Sequence, residues 1–198
     1  MSPRLLVLVL AAVTVLILAS QTLFTVDQRE QAIIVSFGDP VRVIHAPGQG
    51  GAGLNVKLPF VQQVIKLDRR NIALEAEQEE IITSGQQRLV VDAFIRYRIS
   101  DPLQFYRALR DERTAADRIE RLVNSSLRQV LGSASSTDII SGRREALMAQ
   151  AKADVARRAK SSRLGIEVVD LRIRRADLPR QNRDFIFRRM STSRQQEA

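Results

Sequence analysis

His45 is the only imidazole in a chain of 198 residues that has no cysteine and no tryptophan. The missing thiols exclude disulfide scaffolds, zinc ribbons, thiol enzymes and haem attachment together. Any metal site would have to be built from carboxylates, and any serine nucleophile would have to use this one base. No G-x-S-x-G elbow accompanies it. A lone histidine beside a glycine-rich turn reads as a surface side chain, with no catalytic role.

Glu75, Glu77, Glu79 and Glu80 lie close together and could hold a cation or form an acid–base pair. The polar run ahead of Ile81-Ile82 predicts a solvated strand edge instead. Gly48 to Gly53 matches G-x-G-x-x-G by formula, but a phosphate loop must open a helix whose first amides hold the anion. Here Leu54-Asn55-Val56-Lys57-Leu58-Pro59 follows, which reads as a strand and a stop, so a flexible turn is expected. Serine–lysine chemistry has only Lys57, Lys66, Lys152 and Lys160 to draw on. Nothing in their spacing points to a serine partner. The residues offer no catalytic group, no cofactor site and no metal site.

Charge is distributed unevenly. The chain carries 31 basic and 22 acidic residues, a net of +9. Residues 1–87 hold 7 basic and 8 acidic groups, and residues 88–198 hold 24 and 14, so the second half carries the excess. A basic half invites nucleic acid. These arginines, however, are interleaved with Asp111, Glu112, Asp117, Glu120 and Glu145, and no aromatic ladder accompanies them. They are expected to serve solubility, acidic lipid head groups, or charge matching with neighbouring subunits.

The elements that must position these residues begin with an apolar run. From Leu5 to Phe24 no residue is charged, and 20 residues at about 1.5 Å each span roughly 30 Å, the thickness of a bilayer core. A cleaved signal peptide needs small residues at both positions −3 and −1 of the cut. Cutting after Ser20 or Ala19 puts Leu18 or Ile17 at −3, so the run is expected to stay as an anchor. Arg4 and the free amine flank it on one side, while Asp27, Arg29 and Glu30 leave the other without a positive excess. The positive-inside rule then leaves residues 1–4 in the cytoplasm and exports the rest.

Alternation predicts strands at Ile33–Phe37 and Leu54–Leu58, with Gly38-Asp39-Pro40 turning the chain between them. Shorter strands are expected around Val64–Leu67, Ile72–Leu74 and Glu80–Thr83. Leu89 to Ile99 alternates over eleven residues, with Leu89, Val91, Ala93, Ile95, Tyr97 and Ile99 on one face. Asp101-Pro102 then supplies a helix cap and a first-turn proline. A helix from Thr114 carries Ile119, Leu122, Val123, Leu127, Val130 and Leu131 on one stripe and ends at Gly132. Its Leu122 and Leu127 are expected to bury against the sheet carrying Val91 and Ile95. A second long helix, about Arg143 to Arg163, carries Leu147, Ala151, Val155 and Ala159. The strand after Gly165 changes facing between Val168 and Leu171, which predicts a bulge near Val169-Asp170. Pro179 opens a last helix with Phe185, Ile186 and Met190 apolar. The class is α+β: tail 1–4, anchor 5–24, β-rich part 25–100, mixed α/β part 101–178 with two long helices and a returning strand, and a helix start at 179–198.

Several of these segments together resemble a known family. Val26-Asp27-Gln28-Arg29-Glu30-Gln31-Ala32-Ile33 follows the short anchor, and Leu54-Asn55-Val56-Lys57-Leu58-Pro59-Phe60 follows a proline-glycine turn. This opening is similar to that of band 7 (SPFH, prohibitin-homology) proteins. Arg88-Leu89-Val90-Val91-Asp92-Ala93-Phe94, Tyr97-Arg98-Ile99-Ser100-Asp101-Pro102 and Leu164 to Ile173 resemble the HflC branch. So does the four-residue tail, because the sister HflK branch usually carries a long polar one. The turn Pro47–Gly53 is longer than the family's usual step.

The resemblance implies a membrane scaffold of the bacterial inner membrane with its main domain in the periplasm. It would assemble with an HflK-like sister subunit into a large hetero-oligomer in contact with membrane lipid, and enclose the membrane protease FtsH. It also implies a long coiled coil beyond the last helix. A stomatin-like organiser of lipid domains and a membrane-anchored protease are the alternatives. If charge matching holds subunits together, reversals at Arg172 and Arg174 should weaken that contact.

Overall fold

In a computed structural model, residues 3–177 are described. The expected helix from Pro179 lies outside them. The first helix, α1, spans Pro3–Thr22, 20 residues. Among the described residues no helix is both long and apolar enough to cross a membrane.

The chain forms two compact units. Unit 1 takes the residues up to Asn71, Arg98–Glu112 and Arg163–Ile166; unit 2 takes Ile72–Tyr97, Arg113–Ser162 and the residues from Glu167.

Unit 1 follows α1 with β1 (Leu23–Val26), β2 (Glu30–Ser36), β3 (Asp39–Ile44), β4 (Gly53–Val56) and β5 (Gln62–Asp68). β1 pairs antiparallel with β4, and β2 lies between β3 and β5. Leu23 and Phe24, expected in the anchor, are the first residues of β1. β2 was expected to alternate, but Gln31 through Val35 are all buried. A strand covered on both faces loses its polar face, and α2 (Pro102–Leu109) packs on β2 and β3. The β2–β3 turn also differs from expectation. It consists of Phe37 (φ 52°) and Gly38 (φ 92°), with Asp39 and Pro40 already in β3. Positive φ at both turn positions matches the twist of a two-residue hairpin. Asp101 caps α2 by accepting from the Gln104 amide, as the sequence predicts. Gly165 closes the cap: its carbonyl accepts from the Ser100 and Asp101 amides. A Cβ there would sit 2.4 Å from the Asp101 carbonyl oxygen and 2.5 Å from the Phe105 nitrogen.

Unit 2 holds β6 (Ile72–Glu75), β7 (Glu79–Ile82), β8 (Arg88–Ile99), α3 (Glu112–Gly132), α4 (Arg144–Ser161) and β9 (Ile166–Asp177), several of which reach unit 1 by a residue or two. The alternation of β8 is as expected, with Leu89, Val91, Ala93, Ile95 and Tyr97 buried. Ala115, Ile119, Val123, Leu127, Val130 and Leu131 form the buried stripe of α3. Leu122 is only half-buried, because the stripe runs through Val123 in the turn between Ile119 and Leu127. The stripe of α4 is Leu147, Ala151, Val155 and Ala159, as expected, joined by Met148 and Asp154. A π-helical turn at Asp138–Gly142, which no periodicity announced, joins the two helices. Along β9 both Val168 and Leu171 are buried, and the Leu171 amide bonds the Asp170 carboxylate. The facing changes where a bulge was expected.

Candidate functional site

His45 is buried, 8% exposed, not on the surface as expected. It follows β3 at φ 59°, in the left-handed region that histidine tolerates better than most residues. Its Nε2 lies 2.7 Å from the Arg69 guanidinium and 3.3 Å from the Gln28 carbonyl. A guanidinium only donates, so Nε2 accepts from Arg69 and makes no hydrogen bond to the Gln28 carbonyl, itself an acceptor. No serine hydroxyl takes part in this cluster, and the Arg69 bond ties the end of β3 to the chain after β5. Gly48–Gly53 leads into β4 and opens no helix.

Three of the four glutamates are drawn into separate ion pairs. Glu75 meets Arg174 at 3.0 Å, Glu80 meets Arg88 at 3.3 Å, and Glu79 meets Arg128 of α3. The Glu77 amide donates to the Glu120 carboxylate at 2.7 Å. Among the described residues no cluster of three or more His, Cys, Asp or Glu could hold a metal ion. Arg172 pairs with Asp170 at 2.8 Å, and Arg174 also reaches Asp92 at 3.1 Å. Arg174 therefore ties β9 to β8 and β6 within one chain.

Sequence reasoning missed the buried carboxylate of unit 2. Asp154, 5% exposed, accepts from the Ser126 hydroxyl at 2.7 Å, which joins α4 to α3. Arg158 meets it at 2.7 Å and Arg157 also pairs with it. Burial pushes its pKa up, but the Ser126 hydrogen bond and the two arginines outweigh that and hold it below the usual carboxylate range. In unit 1 the Arg70 guanidinium likewise holds the Asp68 carboxyl low. A spacing rule could have found the α4 pairs, since 154, 157 and 158 are helical neighbours. Ser126 lies too far along the chain for any such rule.

The surface of unit 1 carries the other feature. Leu23 pairs opposite Val56, and Thr25 opposite Leu54. Side chains two apart on a strand share a face, so Leu23, Leu54 and Val56 line one side of a short ribbon. All three are exposed. The ribbon starts where α1 ends, and the Lys57 amide donates to the Thr22 carbonyl at 2.8 Å. Beyond it Leu58, Phe60 and Val61 stand in solvent. Ser36 opposes Gln62, which brings the Phe37 turn to the same end of the sheet as Val61. Phe37 is 90% exposed and Phe60 86%, and both hold positive φ. A bulky residue in that conformation is strained, and neither ring is packed within its unit. Single exposed apolar residues are ordinary, but a contiguous set marks an interaction surface.

The chain is 34% identical to Protein HflC of Haemophilus influenzae over 145 aligned positions, 72% of this chain and 49% of that one. It is 27% identical to Protein HflC of Buchnera aphidicola (subsp. Acyrthosiphon pisum) over 96% of this chain and 66% of the relative. With the Modulator of FtsH protease HflC of Escherichia coli K12 it shares 25% identity over 92% of this chain and 67% of the relative. The chain thus spans about half to two thirds of the length of these relatives. Residues 24–198 match the SPFH domain / Band 7 family, and the chain belongs to that family.

Proposed function

We propose that this protein is a membrane-anchored scaffold of the HflC type. In this reading it works by assembly, with an HflK-like sister subunit, and modulates the membrane protease FtsH without cleaving substrates itself. α1 spans the bacterial inner membrane with its N-terminus in the cytoplasm, and both units lie in the periplasm. The observation that carries the reading is the apolar surface running from the end of α1 through Leu23, Leu54 and Val56 to Phe60 and Phe37. Such a surface suits the boundary between head groups and acyl chains, beside an uncharged run of bilayer length. The protease partner is supported by the name of the Escherichia coli relative.

Three measurements test this. Purification in mild detergent should bring down FtsH and the sister subunit; recovery with neither leaves the stomatin-like reading. A label on Phe60→Cys should be quenched by spin-labelled lipid, while one on Arg70→Cys, at the other end of β5, should not. The absence of native cysteine keeps both labels specific. Equal quenching at the two positions would remove the lipid assignment. A periplasm-dependent reporter fused after Ala198 should be active, and activity of a cytoplasmic reporter there would reverse the topology.

A further inference from the structure

In unit 2, β9 borders β8 on one edge, and among the described residues no strand pairs with its other edge. An open edge is a row of backbone donors and acceptors that another chain can extend. Residues two apart on a strand turn their backbone groups to the same edge. At Leu171 and Ile173 those groups are met by side chains. The Leu171 amide donates to the Asp170 carboxylate at 3.0 Å, and the Ile173 carbonyl accepts from Arg144 of α4 at 2.5 Å. Side chains thus hold places that a neighbouring strand would take.

Between this edge and α4 lies a cleft of about 610 Å³. Pockets of ~300–1,000 Å³ suit a small ligand or a few residues of chain, not a folded domain. Met148, Leu171 and Ile173 contribute apolar walls, and Arg144, Lys152 and Arg172 bring positive charge. Glu145 and Asp170 are the acids of the lining, and Asp170 is taken up by Arg172 and the Leu171 amide. Arg172 is 69% exposed, and a pair so exposed holds little energy and exchanges readily. Lys152 is half-buried, with no ion pair or hydrogen bond among the described residues. A cation drawn part-way out of water without a partner gains from an incoming carboxylate.

We propose that the groove between β9 and α4 binds an extended acidic segment of another protein, which adds a strand beside Leu171–Ile173 and sets a carboxylate against Lys152. Backbone pairing on the edge supplies affinity, and alternate side chains of the segment supply selectivity. Charge chooses the occupant. The chain is +9 overall, and its own residues 178–198 carry five arginines against Asp184 and Glu197. Neither a second copy nor that segment matches the groove. A lipid head group would meet Lys152 and Arg172 but leave the strand edge unused. The groove lies wholly within unit 2, and its occupancy is independent of the assembly reading above.

The probe is a fluorescent peptide of alternating valine and glutamate, blocked at both ends and titrated by anisotropy against the full chain in neutral detergent. It should bind, and Lys152→Glu with Arg172→Glu should weaken binding about tenfold or more. Lys152→Ala breaks no bond of the folded chain and should weaken binding about threefold, which keeps the test open if the double variant misfolds. An alternating valine–lysine peptide should not bind, nor should the acidic peptide N-methylated throughout. Failure of the acidic peptide to bind, or binding unchanged in both variants, would overturn the proposal. Binding that survives N-methylation and is matched by phosphatidylglycerol vesicles would assign the groove to lipid and overturn it as well. Recovery of FtsH and the sister subunit is read separately, so the two readings fail separately.

Discussion

Among the described residues, Leu23, Phe37, Val41, Leu54, Val56, Leu58, Phe60 and Val61 of unit 1 stand in solvent, whereas in unit 2 the exposed large apolar residues are Ile82 and Ile140. The surface of unit 2 is instead laced with ion pairs: Glu79–Arg128, Glu80–Arg88, Glu75–Arg174–Asp92 and Arg172–Asp170. Apolar side chains left in water gain only from a partner that removes them from it. Exposed ion pairs add little stability but set orientation and choice of neighbour. The difference teaches that one chain holds two kinds of surface, one that gains by being covered and one whose charges can orient a neighbour.

The largest effect is expected in unit 1 at Gly165→Ala. The new Cβ collides with backbone at 2.4 and 2.5 Å, and φ is +68°, so the loss should exceed about 4 kcal/mol, an exceptional value for one site. Folding of the variant to within about 1 kcal/mol of wild type in denaturant titration would contradict the closure of α2 on this glycine. Ile119→Ala in unit 2 should cost about 2–5 kcal/mol, and Leu122→Ala clearly less, because it lies beside the buried stripe. Equal costs would return Leu122 to the core.

Asp154→Asn should cost about 1–3 kcal/mol near neutral pH, since it weakens a buried acceptor shared by Ser126 and two arginines. The folded carboxyl sits below its ordinary value. Its contribution is therefore complete above about pH 4 and is lost as pH falls through the depressed folded value. The difference between wild type and variant should shrink on acidification below pH ~4, and a gap that stays constant down to pH ~2 would sink the assignment. Arg88→Glu should cost at most about 1 kcal/mol, as its pair with Glu80 is largely exposed. A larger loss would show that unit 2 depends on its surface charge for folding.

Much of unit 2 was legible because period is a strong signal there. The alternation of Leu89–Ile99 and the stripes of α3 and α4 each repeat over many residues with one buried face. Unit 1 was less legible. β2 is covered on both faces, so its alternation is lost, and β3 contains Pro40, which reads as a turn. Leu23-Phe24 is as apolar as the helix before it, and only pairing with β4 shows that it is strand. His45 is buried and bonded to Arg69, a residue that spacing alone does not join to it. The apolar rim shares that origin, since Phe37 and Val61 come together only through the register of β2 and β5.

The central claim, that the protein acts by assembly on a membrane and not by catalysis, is tested most directly by reconstitution. Purified protein and its sister subunit would be placed in vesicles with a membrane substrate, with FtsH present or absent, and substrate loss followed over time. The expected result is no loss without FtsH, and a rate of FtsH-dependent loss that changes when the scaffold is added. Substrate or casein cleavage by the protein alone would contradict the account, as would an FtsH rate unchanged by the assembled scaffold.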